Sequence, residues 1–345
     1  MNRFIFVLII AVFSLNNSML AQTGAERDSS YVESFDDQLT LRTYLSQKYT
    51  IFNVNGKGNQ YFLQYRPNTN LNLGLGATYR GLTINLGYGL KFLNKDSDKG
   101  TTKYLDLQSH LYGKKWRIDG FGQFYKGYFL FPKGTAASSV NSYYIRPDIA
   151  VNELGVSAYY ILNHRKYSYR AAFIQDEWQK KSSGSLLVGG VFVAGRVKGD
   201  SAFVPSSRAS LYEQAAIRYL SYVQAGPGIG YSYTWVYKEH WYATGSGTIS
   251  IDLGTVNERT NQVKYHTWRL APDLLIRLVA GYNSADWGLS FSWVSNTNGI
   301  RGIHRTSSYS VNTGNYRFTL SRKFIPVGAV KKILHRYDRI IGAGN

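Results

Sequence analysis

Acidic and basic side chains occupy alternate positions in segments whose other positions are apolar, a spacing that could bring charges together in one enclosed space. In an extended strand with Leu105 and Leu107 on one face, Asp106 and His110 fall on the other. The same alternation places further ionisable side chains on polar faces: Arg117, Asp119, Glu153, Arg170, Asp252, Arg277, Arg317 and Lys323. Mixed acids and bases favour a lumen polar network of ion pairs that satisfies buried charges and stiffens a fold. A solute pathway and a catalytic site are the alternatives.

Hydrolytic chemistry would need a nucleophile beside a base and an orienting acid. His110 with Asp106 or Asp119 could supply the base and the acid, but the spacing places no serine beside them. The chain has no cysteine, which excludes a thiol nucleophile and thiolate metal ligands. Phosphate-loop, zinc-protease and calcium-loop motifs are absent from the sequence. The sequence therefore predicts no metal, no cofactor and a non-enzymatic protein, with a membrane-embedded lipid hydrolase as the alternative.

A second polar segment, residues 175–185, combines charges with small residues. Lys180 and Lys181, followed by Ser182 and Ser183, could bind an anionic head group through ammonium and backbone N–H groups. A solvated hairpin loop is the alternative interpretation of this segment.

The elements that would position these side chains are strands. Residues 71–79 and 82–92 are the clearest examples, with Leu, Ile and Tyr on one face and Asn, Thr and Gly on the other. Segments of this kind are predicted as strands at 39–53, 60–66, 70–79, 82–92, 101–112, 116–129, 152–162, 167–177, 185–197, 222–236, 241–255, 268–282, 285–296 and 313–324. Short connections on one side and long loops on the other are typical of outer-membrane barrels.

The predicted fold is all-β, an antiparallel transmembrane β-barrel of about 12 strands, with roughly 10–14 possible. A β-sandwich is the competing fold, although these strands are long and numerous for one. Aromatic residues make up 15% of the chain, with 29 Tyr and 7 Trp, and these side chains suit a membrane–water boundary. A mean hydropathy of -0.27 is compatible with a barrel, because half of each strand is polar.

Both ends of the chain differ in composition from the predicted barrel over 39–324. Residues 1–21 have a basic start, an apolar run and a small residue at Ala21, which predicts a signal peptide cleaved near that position. Residues 22–38 are polar and acidic and predict a flexible leader. Residues 325–345 place Val327, Val330 and Leu334 at helical spacing among Lys and Arg, which predicts a basic amphipathic helix, with a frayed tail as the alternative. The last predicted strand ends in an aromatic residue, Phe324. In this it resembles the closing strand that the outer-membrane insertion machinery recognises.

Five segments in the middle of the chain carry a family resemblance: 144–148 (YIRPD), 166–173 (KYSYRAAF), 179–185 (QKKSSGS), 199–205 (GDSAFVP) and 226–235 (GPGIGYSYTW). They resemble a family known as a domain of unknown function, found in secreted, barrel-like proteins of Bacteroidetes. The resemblance extends over most of residues 39–324. It implies an outer-membrane location and a barrel, and it implies no activity.

The net charge of +19 predicts anionic partners, and export through a Gram-negative envelope makes these lipid, lipopolysaccharide or anionic solutes, with no nucleic acid. Lys and Arg placed in loops and at head-group level are the alternative explanation of this charge. The predicted function is that of an outer-membrane envelope protein, either a narrow conduit or a binder of envelope lipid or anionic solute. The oligomeric state and the ligand are left open by the sequence.

Overall fold

The computed structural model describes residues 27–57, 61–90, 92, 96–304 and 306–340 of the 345-residue chain. The predicted signal peptide, residues 1–21, lies outside them. The strands are β1 Val32–Ser34, β2 Leu39–Asn55, β3 Phe62–Arg66, β4 Leu71–Tyr79, β5 Leu82–Gly89, β6 Lys103–Tyr112, β7 Trp116–Phe131, β8 Ile145–Ile161, β9 Glu177–Gln179, β10 Ser183–Lys198, β11 Tyr219–Tyr237, β12 Trp241–Arg259, β13 Lys264–Asn283, β14 Trp287–Arg301 and β15 Ser308–Phe324. The α-helices are α1 Tyr169–Phe173 and α2 Gly328–Ile340, and short 3₁₀ helices lie at Ser97–Lys99 and Ser206–Leu211.

Ten antiparallel strands close into a barrel. β7, β8 and β10 to β15 pair in sequence, β15 pairs with β2, and the short β3 joins β2 to β7. Among the described residues, three further strands of the same sheet are attached to this ring: β4 pairs with β2, β5 with β4, and β6 with β7, while β1 and β9 form a separate two-stranded sheet. β4, β5 and β6 extend the wall on the turn-end side of the short β3. The all-β barrel is therefore confirmed, while the expected strand number of about 12 becomes a closed ring of ten strands with three strands attached to it.

The two ends of the barrel differ in their connections. One end, called here the turn end, carries the short connections 80–81, 113–115, 238–240 and 284–286, together with one long segment, 162–182. The β4–β5 turn has positive φ at both Arg80 (48°) and Gly81 (81°), the backbone twist that suits a two-residue hairpin. The other end, the loop end, carries the longer connections 132–144 and 199–218.

Each end is filled by a chain segment that folds into the barrel. The loop-end segment, residues 199–218, contributes Phe203, Val204, Tyr212 and Ile217 to a buried apolar cluster with strand residues such as Phe52, called the loop-end cluster. The turn-end segment, residues 162–182, contains α1 and β9 and buries Tyr167, Tyr169 and Ile174 against Tyr112 and Leu187. The lumen is therefore closed off at both mouths by side chains.

One predicted strand, 167–177, is wrong, because this stretch forms α1 and the turn before β9. Its alternating aromatic residues resemble a strand, but the Ser168 hydroxyl accepts a hydrogen bond from the backbone N–H of Ala171 and caps the helix. The described part of the predicted flexible leader has defined contacts here, since β1 pairs with β9 and places Glu33 opposite Trp178.

The chain downstream of the closing strand forms α2, as the helical spacing predicts. Asp338 near the end of α2 lies 2.8 Å from Arg80 Nε and accepts a hydrogen bond from the Tyr79 hydroxyl, which fixes the helix to the β4–β5 turn. Val327 precedes the helix and Val330 and Ile333 lie on it, and all three side chains are exposed. Among the described residues, no helix has both the length and the apolar character needed to cross a bilayer.

Candidate functional site

The lumen contains a cavity of about 170 Å³ between the segments that fill its two ends. Phe173 and Ile174 of the turn-end segment line one side, and Phe121, which packs against the loop-end cluster, lines another. Polar side chains from eight strands complete the wall: Arg42, Thr83, Asn85, Gln108, His110, Asp119, Ser157, Asp273, Arg277, Ser290, Asn296 and Arg317. The cavity thus combines an apolar floor with walls that can hydrogen-bond and carry charge.

Asp119 lies at the centre of a buried cluster of charges beside this cavity. Its Oδ2 is 2.7 Å from Arg277 Nη2 and 3.0 Å from Arg117 Nε. Its Oδ1 is 2.7 Å from His110 Nδ1 and accepts a hydrogen bond of 3.1 Å from the Tyr112 hydroxyl. Arg117 and Arg277 are both buried. Two buried guanidinium groups therefore depend on one carboxylate for their counter-charge.

Four of the ionisable residues predicted for the lumen meet in this Asp119 cluster, and the others lie apart from it. Asp106 forms an ion pair of 2.9 Å with Lys48 Nζ. Glu153 accepts hydrogen bonds from Tyr222 and Asn298, and Asp252 is buried on β12 without an ion-pair partner among the described residues. The alternation therefore places these side chains on the inner face but does not indicate which of them pair.

In the described part of the chain, His110 and Asp119 have no serine nucleophile hydrogen-bonded to them. His110 binds Asp119, whereas Asp106 is engaged by Lys48 and by the Tyr125 hydroxyl at 2.7 Å. Within the described part of the chain, no serine hydroxyl hydrogen-bonds to His110. The residues that the structure describes contain no group of three or more His, Asp or Glu side chains placed to hold a metal ion. This geometry gives a lipid hydrolase no support.

Two arginines of the cavity wall differ from those of the Asp119 cluster because neither forms an ion pair with a described residue. Arg42 Nη2 donates to Thr78 Oγ1 at 2.5 Å and to the Ile174 carbonyl at 2.8 Å. The Arg317 guanidinium lies over the Tyr44 ring, 4.4 Å from its centre. Both cations come from the paired strands β2 and β15 and line one cavity.

Sequence reasoning placed Arg317 on the inner face and missed Arg42. The signal for Arg42 is present in the sequence, since Leu41 and Leu45 alternate with Arg42 and Ser46 in the first predicted strand. In the structure the two leucines are exposed on the outer face and the two polar residues are buried. The same period of two that identified the other lumen residues therefore covers this one.

Arg170 does not lie on a strand, and it pairs in the turn-end segment rather than in the cavity. Its guanidinium is 2.7 Å from both Asp36 Oδ1 and Asp176 Oδ2 and 3.2 Å from Glu177 Oε1, while Arg27 binds the other Glu177 oxygen at 2.9 Å. Burial raises the pKa of Asp36, but the charge of Arg170 outweighs it and holds that pKa at about 2. The network therefore ties the leader to the segment that fills the turn end.

The predicted anion-binding residues of the second polar segment have partners within the chain. Lys180 Nζ is 3.1 Å from Glu33 Oε2, and Lys181 Nζ lies 5.4 Å from the centre of the Tyr31 ring. The Ser182 hydroxyl accepts a hydrogen bond from the Val236 N–H, and Ser183 is buried on β10. These contacts fix the leader and β11 to the turn-end segment, so this geometry does not favour an anion site there.

Comparison with solved structures returns outer-membrane proteins at low similarity. The outer-membrane protease OmpT of Escherichia coli is 10% identical, with 84% of this chain and 97% of that chain covered and a TM-score of 0.40. OmpT of Vibrio cholerae is 8% identical over 81% and 97% of the two chains, with a TM-score of 0.27. The Pseudomonas putida toluene transporter TodX is 10% identical over 84% and 91%, with a TM-score of 0.24. Superpositions this loose transfer no activity to the chain.

The comparison with protein families identifies one family, whereas the comparison with solved structures finds only loose similarity. No curated protein matches the sequence. A family model described as a domain of unknown function, DUF4421, matches residues 26–324, which covers the described leader and the whole barrel. This range contains all five segments on which the resemblance was based and ends at the last residue of β15. The chain belongs to the DUF4421 family.

Proposed function

We propose that this chain is an outer-membrane β-barrel that binds a small organic anion in its lumen. The observation that carries the proposal is the pair of arginines, Arg42 and Arg317, which line the cavity without an ion-pair partner among the described residues. A buried charge is costly unless it is paired, so an anionic ligand would supply the missing counter-charge. Since both mouths are filled by side chains, binding is favoured over an open conduit.

The outer surface supports the membrane location. Along β13, the outward residues from Trp268 to Tyr282 are apolar, and Leu270, Leu274 and Leu278 among them are exposed. Strands of 19 or 20 residues exceed the roughly 9–11 tilted residues that cross a hydrocarbon core. The loop-end parts of β10, β12 and β13 carry outward basic side chains that would lie level with anionic head groups: Arg196, Lys198, Arg259 and Lys264.

A charge placed within this outer apolar band is expected to destabilise the barrel according to its depth. Ile251→Arg on β12 should lower the free energy of unfolding by about 2–4 kcal/mol, because the side chain faces hydrocarbon near mid-bilayer. Asn257→Arg lies on the same face of the same strand, nearer the loop end, and should cost about 0–1 kcal/mol. Urea unfolding in phosphatidylcholine vesicles measures both. Equal penalties at the two positions would contradict the proposed membrane band.

The size of the cavity limits the ligand that it can accept. An engineered apolar cavity of roughly 150 Å³ accepts benzene. A cavity of about 170 Å³ with an apolar floor and two arginines therefore suits a carboxylate on a ring or short chain. Asp273 lies opposite Asn298 on β14, whereas Arg317 lies opposite Ser292, six residues nearer the turn end. The register thus separates the Asp273 carboxylate from the proposed anion position, and the Asp119 carboxylate is paired with Arg117 and Arg277.

Neutralising the cavity arginines is expected to weaken anion binding. Arg317→Gln and Arg42→Gln should each reduce benzoate affinity by roughly tenfold to a hundredfold, because a hydrogen bond to a charged group contributes about 1.5–3 kcal/mol. Arg322→Gln is the matched control, since Arg322 lies on the same strand but faces outward over the Trp287 ring. Isothermal titration calorimetry of the folded protein in detergent measures the affinities. Undiminished benzoate binding in both cavity variants would refute the proposal.

A further inference from the structure

The hydrogen-bonded wall of the barrel is interrupted between β5 and β6, an interruption called here the β5–β6 seam. β5 pairs with β4 and β6 pairs with β7, and no backbone pairing joins residues 82–89 to residues 103–112. The exposure of outward side chains is high beside this gap, since Leu86 and Tyr88 of β5 are both 73% exposed. On β13, which has a neighbour on each side, Leu274 and Leu278 are 42% and 46% exposed.

An unpaired strand edge is not tolerated in lipid without compensation. Each unsatisfied backbone group in hydrocarbon costs several kcal/mol, and irregular backbone at membrane depth occurs where it lines a polar cavity. The lumen cavity lies directly behind the seam, with Thr83 and Asn85 of β5 and Gln108 and His110 of β6 in its wall. Ser109 also lines the cavity although it is exposed and faces outward by the strand alternation. The cavity therefore reaches the outer surface through the seam.

The opening is bounded at both of its ends. Toward the loop end, Lys48 crosses from β2 to bind Asp106 of β6 at 2.9 Å. Toward the turn end, Gly81 lies against the end of β6, because a Cβ atom added to Gly81 would be 3.5 Å from the Tyr112 carbonyl oxygen. Between these contacts the seam is a slot in the barrel wall that leads from the outer apolar face to the cavity.

The interior side of the slot is linked to one of the unpaired arginines. Arg42 donates to the Thr78 hydroxyl, and the hydroxyls of Thr78 and Thr83 are 2.7 Å apart, which forms a polar path from the guanidinium to the slot edge. On the outside, Leu86 of β5 and Leu105 of β6 are exposed beside the slot. A ligand lying across the slot would therefore contact cationic side chains inside the barrel and apolar side chains on its outer surface.

We propose that the β5–β6 seam is a lateral portal for a single-chain anionic amphiphile, namely a long-chain carboxylate. Its head group binds between Arg42 and Arg317, and its chain passes through the slot into the bilayer. A cavity of about 170 Å³ holds the carboxylate and a few methylene groups, so the rest of the chain must lie outside. The inference rests on the proposed anion binding and adds the route and the class of ligand.

The experiment closes the slot covalently in a chain that has no native cysteine. Asn85→Cys with Gln108→Cys, which both line the cavity, are linked by oxidation or by a short bis-maleimide. Thr234→Cys with Thr244→Cys is the control link, because these hydroxyls lie 2.8 Å apart on the paired strands β11 and β12. The linked proteins are then placed in phosphatidylcholine nanodiscs containing oleate, and bound oleate is measured by native mass spectrometry.

We expect wild type and the control-linked barrel to carry oleate, and the slot-linked barrel to lose it. Reduction of the slot disulfide should restore oleate binding. Oleate loading that is unchanged with the slot linked would overturn the portal. Benzoate titration of the unlinked protein separates the two proposals. Benzoate binding without oleate binding would refute the portal and leave anion binding intact, whereas binding of neither would refute both.

Discussion

Asp119→Asn is expected to lower the free energy of unfolding by about 3–5 kcal/mol, because breaking a buried ion pair leaves an uncompensated charge. The substitution keeps the shape of the side chain but removes the negative charge shared by Arg117 and Arg277. Arg117 is 0% exposed, so water cannot replace the lost carboxylate. Urea unfolding of the barrel in vesicles, followed by the mobility difference between unboiled and boiled samples, measures the change.

The control for this prediction is Asp37→Asn, which also removes one carboxylate from an ion pair. Asp37 lies 3.2 Å from Arg80, but its side chain is 91% exposed. Exposed ion pairs contribute about 0–1 kcal/mol, so this variant should unfold close to the wild type. A loss of stability for Asp119→Asn no larger than that of Asp37→Asn would show that the Asp119 cluster does not stabilise the barrel.

Arg170→Ala is expected to have a comparable effect, of about 3–5 kcal/mol, because it leaves buried carboxylates without their cation. Asp176 and Glu177 are buried beside Arg170, and Asp36 holds the leader against the same guanidinium. The loss should loosen the turn-end segment as well as destabilise the fold. We therefore expect higher ion conductance in planar-bilayer recordings together with a lower unfolding midpoint in urea.

Two variants test whether the charge of Arg170 is responsible. Arg165→Ala removes an exposed arginine from the same segment and should change neither conductance nor stability. Arg170→Lys keeps the positive charge but loses the planar donor fork that reaches three carboxylates, so it should recover part of both properties. Wild-type conductance in Arg170→Ala would show that this ion network does not hold the turn-end segment in place.

Much of the fold follows from local alternation. The exposed leucines of β2 and β6, and the less exposed polar residues that alternate with them, lie on the faces that a period of two predicts, because successive side chains of a strand point in opposite directions. The prediction failed at residues 167–177, where alternating Tyr167 and Tyr169 resemble a strand. There a serine cap and buried ion pairs stabilise one helical turn, and such contacts with other segments leave no periodic signal.

The number of strands in the closed ring depends on pairings that local patterns do not contain. β2 pairs with β4 through residues 40–47 and with β3 through residues 52–55 on the same edge. This division leaves β5 and β6 unpaired with each other and creates the seam. Each strand by itself looks the same whether its edge is paired or free, because pairing does not alter which side chains face inward.

The sequence by itself determined which side chains of the correctly predicted strands face inward, that the chain forms a barrel and that a helix follows the last strand. Only the tertiary structure decided which inward charges meet. Arg277 reaches Asp119 across the lumen from a distant strand, whereas Arg42 and Arg317 remain without a carboxylate partner among the described residues. The physical reason is that alternation is a local property of an extended chain. Contacts across the lumen depend on strand register, on closure of the ring and on the segments that fold into its two ends.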